Sequence, residues 1–115
     1  MSRTRIKFCG LTRLDDVHAA VELGVDAVGF VLTKKSRRFV DPAHARTLRD
    51  ALPPFVSAVA LFMDDDAAWV EHVIATLRPD LLQFHGAEPA SFAESFDRPY
   101  LKAVPMASVI DVAAF

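Results

Sequence analysis

The 115-residue chain is long enough for one modest domain. At 52% hydrophobic and 24% charged it has an ordinary globular make-up, which excludes disordered and fibrous classes. A formal net charge of −2 gives no electrostatic reason to expect a nucleic-acid or anionic-membrane partner, and no stretch approaches the ~20 apolar residues of a membrane span.

From the first residues on, short β-branched or aromatic runs alternate with longer segments of helical spacing. The start, Met1-Ser2-Arg3-Thr4-Arg5, has no apolar leader region, so a cytoplasmic location is expected. The first strand reads from Arg5 to Cys9. Thr12, with Asp15 three residues on, predicts a capped helix whose buried face is Leu14, Val17 and Val21, stopped at Gly24. The second strand is Asp26 to Leu32, followed by a basic loop, Thr33 to Arg38. Asp41-Pro42 reads as cap plus first-turn proline of a helix running to Leu52. The third strand is Phe55 to Phe62. Asp64 or Asp65 then caps a helix with Val70, Val73, Ile74 and Leu77 on one face, stopped by Pro79. Asp80 to Phe84 is the fourth strand, Pro89 to Phe96 a short helix, and Tyr100 to Val104 the fifth strand. Ser108 can open a last helix.

Strands alternating with helices imply an α/β protein with a parallel sheet buried on both faces. Five such units could complete an open doubly wound sheet, and on periodicity alone that is the more economical reading. A (β/α)8 barrel typically needs about 250 residues.

Alternate residues of a strand share a face. In the first strand Lys7 and Cys9 lie opposite Ile6 and Phe8, whose apolar side chains suit packing under helices. A lone cysteine makes no intramolecular disulfide and fits a reducing compartment. Cys9 is a nucleophile or base if Lys7 lowers its pKa from about 8.5, and a small buried hydrophobe otherwise. In the fourth strand Leu81, Gln83 and His85 share a face opposite Leu82 and Phe84. Gln83 and His85 could orient a polar ligand, or His85 could serve the turn at Gly86. The loop Lys34-Lys35-Ser36-Arg37-Arg38 suits a carboxylate or phosphate, with Arg38 as the contact and the other cations solvated. His18, His44 and His72 fall inside helices and read as structural, and Trp69 as cover for a helix face. The run Asp64-Asp65-Asp66 reads as helix-start charge rather than a metal site. No zinc, dinucleotide or P-loop motif occurs, so no metal and no cofactor are expected.

Five of these segments, in order, resemble phosphoribosylanthranilate isomerases. Ile6-Lys7-Phe8-Cys9-Gly10-Leu11-Thr12 looks like that family's K-[IVF]-C-G-[IL]-T signature, and Gly24 to Val31 like its second strand. Lys35-Ser36-Arg37-Arg38-Phe39-Val40 with Asp41-Pro42 is similar to its anthranilate-contacting loop. Leu82-Gln83-Phe84-His85-Gly86 looks like its Q-[LF]-H-G strand end, and Leu101-Lys102-Ala103-Val104 like its fifth strand.

The resemblance implies a parallel (β/α)8 TIM barrel of which residues 1–115 form the N-terminal part, from the first strand to the helix after the fifth. It implies an isomerase of tryptophan biosynthesis that converts N-(5'-phosphoribosyl)anthranilate to 1-(o-carboxyphenylamino)-1-deoxyribulose 5-phosphate by an Amadori rearrangement. Proton transfer alone suffices, so no cofactor is needed. Cys9 would be the base, Arg38 would meet the anthranilate carboxylate, and Gln83 and His85 would line the pocket; the strand face shared by Lys7 and Cys9, rather than the resemblance, suggests that Lys7 tunes the thiol. The partner is the small-molecule substrate, in a monomer or a homodimer. Asp64 stands where the family has asparagine. The family's general acid, an aspartate ending the sixth strand, and its phosphate loops have no counterpart in these residues, so the chain alone is expected to be inactive. The competing expectations are a different phosphosugar-barrel enzyme and a non-catalytic open-sheet binding domain.

Overall fold

A computed structural model describes residues 3–104. The elements alternate as expected: β1 (Lys7–Cys9), α1 (Leu14–Glu22), β2 (Ala27–Val31), α2 (Pro42–Asp50), β3 (Ser57–Phe62), α3 (Ala67–Leu77), β4 (Leu81–Phe84), α4 (Ala90–Glu94) and β5 (Tyr100–Lys102). The helix expected to open at Ser108 lies outside the described residues. None of the described helices is long and apolar enough to cross a membrane.

The five strands pair in parallel in the order β1-β2-β3-β4-β5. An open flavodoxin-like sheet would place its first strand inside the order and switch direction there. Among the described strands there is no such switch, so the open-sheet reading favoured by periodicity is corrected. Each new strand is added on the same side of its predecessor, as in the first five units of a (β/α)8 barrel.

Register assigns every side chain to one of two faces. On one face Val28 aligns with Ala58, Phe30 with Ala60, Leu82 and Tyr100, and Phe62 with Phe84. These strand residues form a single buried cluster with Val17 and Ala20 of α1, Ala45 and Leu48 of α2, Val70, Val73, Ile74 and Leu77 of α3, and Ala93 of α4. Phe84 is its aromatic centre, with the rings of Phe62, Phe92, Phe96 and Tyr100 all about it. The opposite face carries Lys7, Cys9, Gly29, Val59, Leu61 and Gln83. Across it the Lys7 ammonium donates to Gln83 Oε1, joining β1 to β4 over two intervening strands. A side-chain bond between non-neighbouring strands requires a curled sheet with this face inside.

Several local expectations are revised. Arg13, not Thr12, is the N-cap of α1, and its side chain makes no cap bond. Leu14 is exposed, and Val17 and Ala20 form the buried face of α1. Asp66, rather than Asp64 or Asp65, caps α3, accepting from Trp69 N–H at 2.8 Å. The α3 chain then turns through Arg78 in the left-handed region (φ 54°) before Pro79. Ile6 and Phe8 remain 48% and 38% exposed. They lie on or beside the edge strand β1, which has a described neighbour on only one side. Phe55 stands outside β3, fully exposed and at positive φ (71°), after the stiff Pro53-Pro54 pair.

At the N-terminal ends of the strands Asp26 ties β1 to β2. Its carboxylate accepts from Ile6 N–H (2.8 Å) and from the Arg3 guanidinium, while its own N–H donates to Ile6 O (2.8 Å). The Arg3 hydrogen bond first, then that of Ile6, holds the Asp26 carboxyl down at about 2. A depressed carboxylate adds stability that is present above the unfolded value of about 3.9 and lost as pH falls through the folded one. An NMR titration should therefore give Asp26 a midpoint near 2. In Asp26→Asn the stability should fall less steeply between about pH 4 and pH 2 than in the parent. A midpoint near 4 would dissolve this tie. Separately, Asp41 caps α2 by accepting from Ala43 N–H (2.9 Å) and His44 N–H (3.2 Å). Asp41→Ala should lower unfolding free energy by about 1 kcal/mol in urea titration.

Candidate active site

The C-terminal ends of β1 to β4 gather the side chains that carry chemistry. Cys9 ends β1 on the concave face, beside Gly29 of β2. A Cβ at residue 29 would lie 2.9 Å from Cys9 Sγ and 3.3 Å from its Cα, so glycine is what leaves room for the thiol. The following residue, Gly10, turns at φ +82° and donates its N–H to Gly29 O at 2.9 Å. Its missing side chain is the seat of Arg38. A Cβ there would come within 2.3 Å of Arg38 Nη1, and that nitrogen lies 3.4 Å from Cys9 O. Two glycines thus let a thiol and a guanidinium approach the same strand end.

Lys7 and Gln83 share the concave face and are bonded to each other, so the amide and the ammonium fix one another's direction. His85 follows β4, its N–H on Phe62 O at 2.8 Å and its ring exposed. It lines a cavity of about 300 Å³ together with Arg38. Val31, Leu61 and Met63 supply apolar wall, and Thr33, Lys35 and Ser36 the polar side. Val31 lies two residues beyond Gly29 on the same strand face, so the cavity adjoins the Cys9 strand end. The five residues singled out in the sequence therefore divide into two contacts at one rim, Lys7 with Gln83 and Arg38 with Cys9, and one cavity shared by Arg38 and His85.

The basic loop is more structured than a solvated charge run. Lys34 stacks its ammonium 4.6 Å from the centre of the Trp69 ring, and Trp69 Nε1 donates to Leu32 O at 2.7 Å. Lys35 donates to Met63 O at 2.8 Å and reaches Asp65 at 3.4 Å. Lys34 and Lys35 stay exposed, as expected, but the next β–α unit also offers them an indole face, a backbone carbonyl and a carboxylate. The structural histidines behave as expected where contacts exist. His44 Nε2 lies 2.8 Å from Thr12 O, and His72 packs on Trp69.

Two acidic residues organise the rim: Glu88, which sequence reasoning passed over, and Asp64, which it read as helix-start charge. Glu88 is buried, and its carboxylate accepts from Asp64 N–H and Gly86 N–H, each at 2.9 Å, and from Lys102 Nζ at 3.3 Å. It binds the ends of β3, β4 and β5 into one piece. Asp64, at positive φ (53°), lays its carboxylate over Gly86 and accepts from Ala87 N–H at 2.8 Å. Here aspartate at residue 64 serves as a loop acceptor. No periodicity marks Glu88. Its only signal is a carboxylate two residues after a strand-ending His-Gly.

The profile described as N-(5'phosphoribosyl)anthranilate (PRA) isomerase matches residues 6–114. A relative from Stenotrophomonas maltophilia, named N-(5'-phosphoribosyl)anthranilate isomerase, is 57% identical over 104 residues, covering 90% of this chain and 48% of its own. Among solved structures, phosphoribosyl anthranilate isomerase from Thermus thermophilus is 41% identical with a TM-score of 0.84, over 89% of this chain and 52% of that one. Another phosphoribosyl anthranilate isomerase, in complex with reduced 1-(o-carboxyphenylamino)-1-deoxyribulose 5-phosphate, is 36% identical with a TM-score of 0.84, over 89% and 54%. The chain spans about half the length of the curated relatives it matches. With sequence and fold in agreement over nearly all of its residues, the chain belongs to the N-(5'-phosphoribosyl)anthranilate isomerase family.

Proposed function

We propose that these five β–α units act within a complete barrel as an isomerase of phosphoribosylanthranilate, a cytoplasmic step of tryptophan biosynthesis. The observation that carries this reading is the cavity beside Cys9, with apolar walls of Val31, Leu61 and Met63 and a guanidinium at its rim. An aromatic ring bearing a carboxylate matches both halves of that surface. Arginine pairs with a carboxylate through two parallel bonds, and the ring replaces water against the apolar side.

The reaction moves protons only. An acid protonates the ribose ring oxygen, the ring opens to a protonated imine, and a base removes the now acidic C2 hydrogen to give an enol that tautomerises to the ketosamine. Cys9 is the base in this scheme. Gly29 sets where its sulfur stands, and a misplacement of about 1 Å at a reacting atom can cost on the order of 100-fold in rate. Arg38 holds the anthranilate carboxylate. His85 faces the same cavity, and Gln83 keeps the Lys7 ammonium on the concave face as a fixed positive charge. The ring-opening acid and the phosphate site belong to the part of the barrel that these units do not supply, so the five units by themselves are inactive.

Conversion of phosphoribosylanthranilate to the ketosamine, followed by NMR with the intact barrel, tests the assignment. Cys9→Ala should cost at least ~100-fold in kcat. An unchanged kcat would remove Cys9 from the chemistry. Gly29→Ala should fold and bind substrate, yet lose roughly 10- to 100-fold in kcat because the new methyl displaces the thiol. If Gly29→Ala turned over at the parent rate, the thiol position would be irrelevant.

A further inference from the structure

We propose that Asp65 is a positioning residue for Arg38, fixing the loop after β2 so that the guanidinium is already aimed when an aromatic carboxylate arrives. The proposal rests on the reading that Arg38 meets that carboxylate.

Arg38 is exposed and long, and an arginine of that kind loses rotamer freedom on binding. Affinity improves if the segment carrying it is ordered beforehand. Within the segment, Ser36 N–H donates to Thr33 O (3.2 Å), Arg38 N–H to Ser36 Oγ (3.1 Å) and Phe39 N–H to Ser36 O (3.2 Å). These bonds shape the turn without fixing it to the barrel. At the end of the turn Val40 N–H returns to Val31 O. The anchor near its start is Asp65. One carboxylate oxygen accepts from the hydroxyl of the buried Thr33 (3.3 Å) and from Lys35 Nζ (3.4 Å), on either side of Lys34. The other accepts from Met63 N–H (2.9 Å), which holds the carboxylate against the end of β3. Lys35 reaches past it to Met63 O. The Asp65 side chain is only 11% exposed, so these bonds are shielded from competing water. Its two neighbours have other duties, Asp66 as the α3 cap and Asp64 over Gly86.

The order therefore passes from β3 through Asp65 to the turn, and from the turn to Arg38 on Gly10. Asp65 touches no reacting atom in this scheme. Removing its charge should affect binding of the carboxylate and leave proton transfer alone.

The test compares the intact barrel with its Asp65→Asn and Thr33→Val variants, using anthranilate and 2-aminobenzamide as competing ligands. Asp65→Asn should weaken anthranilate and raise KM by about tenfold, the scale of one charge-assisted hydrogen bond, with kcat within about twofold. Binding of 2-aminobenzamide, which lacks the carboxylate, should not change. Thr33→Val should act in the same direction, more weakly, and keeps the test open if Asp65→Asn fails to fold. Amide exchange at Ser36 and Phe39 should accelerate in both variants. An equal loss for the two ligands, or unchanged exchange and KM, overturns the proposal. If the parent barrel does not turn over phosphoribosylanthranilate, the functional reading fails. The exchange and anthranilate-binding comparison still decides whether Asp65 aims Arg38.

Discussion

The sheet depends on one demand, that each strand be apolar on the side facing the helices and free to differ on the other. Val28, Phe30, Ala58, Ala60, Phe62, Leu82 and Phe84 meet it and are fully buried against α1 to α4. At roughly 25 cal/mol per Å² of apolar surface removed from water, that face is the dominant source of stability. Because it is continuous through one cluster, the concave face is released from packing duty at Lys7, Cys9 and Gln83. A lysine on the concave sheet face would be costly if unpaired. Here it ends on a glutamine carbonyl.

The loops at the C-terminal ends of the strands follow a different rule. Beyond the apolar residues that flank them, such as Leu32 and Val40, they are ordered by carboxylates that accept several backbone and side-chain donors. Glu88 and Asp65 each join neighbouring units in this way. The Glu88–Lys102 pair is well buried, with side chains 3% and 15% exposed. Such a pair adds little net stability compared with apolar packing, but losing one partner leaves a buried charge. What it gives this protein is registration. The ends of β3, β4 and β5 cannot shift independently while Glu88 bridges them.

The alternation of elements and the two faces of each strand were legible in the sequence, because period-two and helical spacing report burial directly. Arg38 and His85 were legible as strand-end groups. The sheet order was not legible in periodicity, since alternation fits an open sheet as well as a barrel; only the family resemblance pointed to the barrel. The topology is decided by which strand edges meet, and that information is spread over register rather than written in any one segment. The cap of α3 was misplaced by one or two residues because three consecutive aspartates offer the same chemistry. The cap is decided by the helix opening at Ala67 and by Asp66 accepting from Trp69 N–H. The roles of Lys34, Lys35 and Glu88 were hidden because their partners belong to other units. Gly29 read as an ordinary strand residue until Cys9 Sγ was found against it.

The unswitched strand order also bears on how the chain is made. Every strand pairs with the one synthesised just before it, so each addition closes a loop of about one β–α unit, and loop-closure entropy grows only slowly with length. Contacts of this range favour rapid folding compared with distant pairings. The longest-range tie described, from Lys7 to Gln83, forms only after β4 is in place. Vectorial growth from the ribosome can thus lay down a curved sheet one unit at a time, with Gly29, the neighbour of the Cys9 thiol, installed at the second step and the brace across the mouth at the fourth.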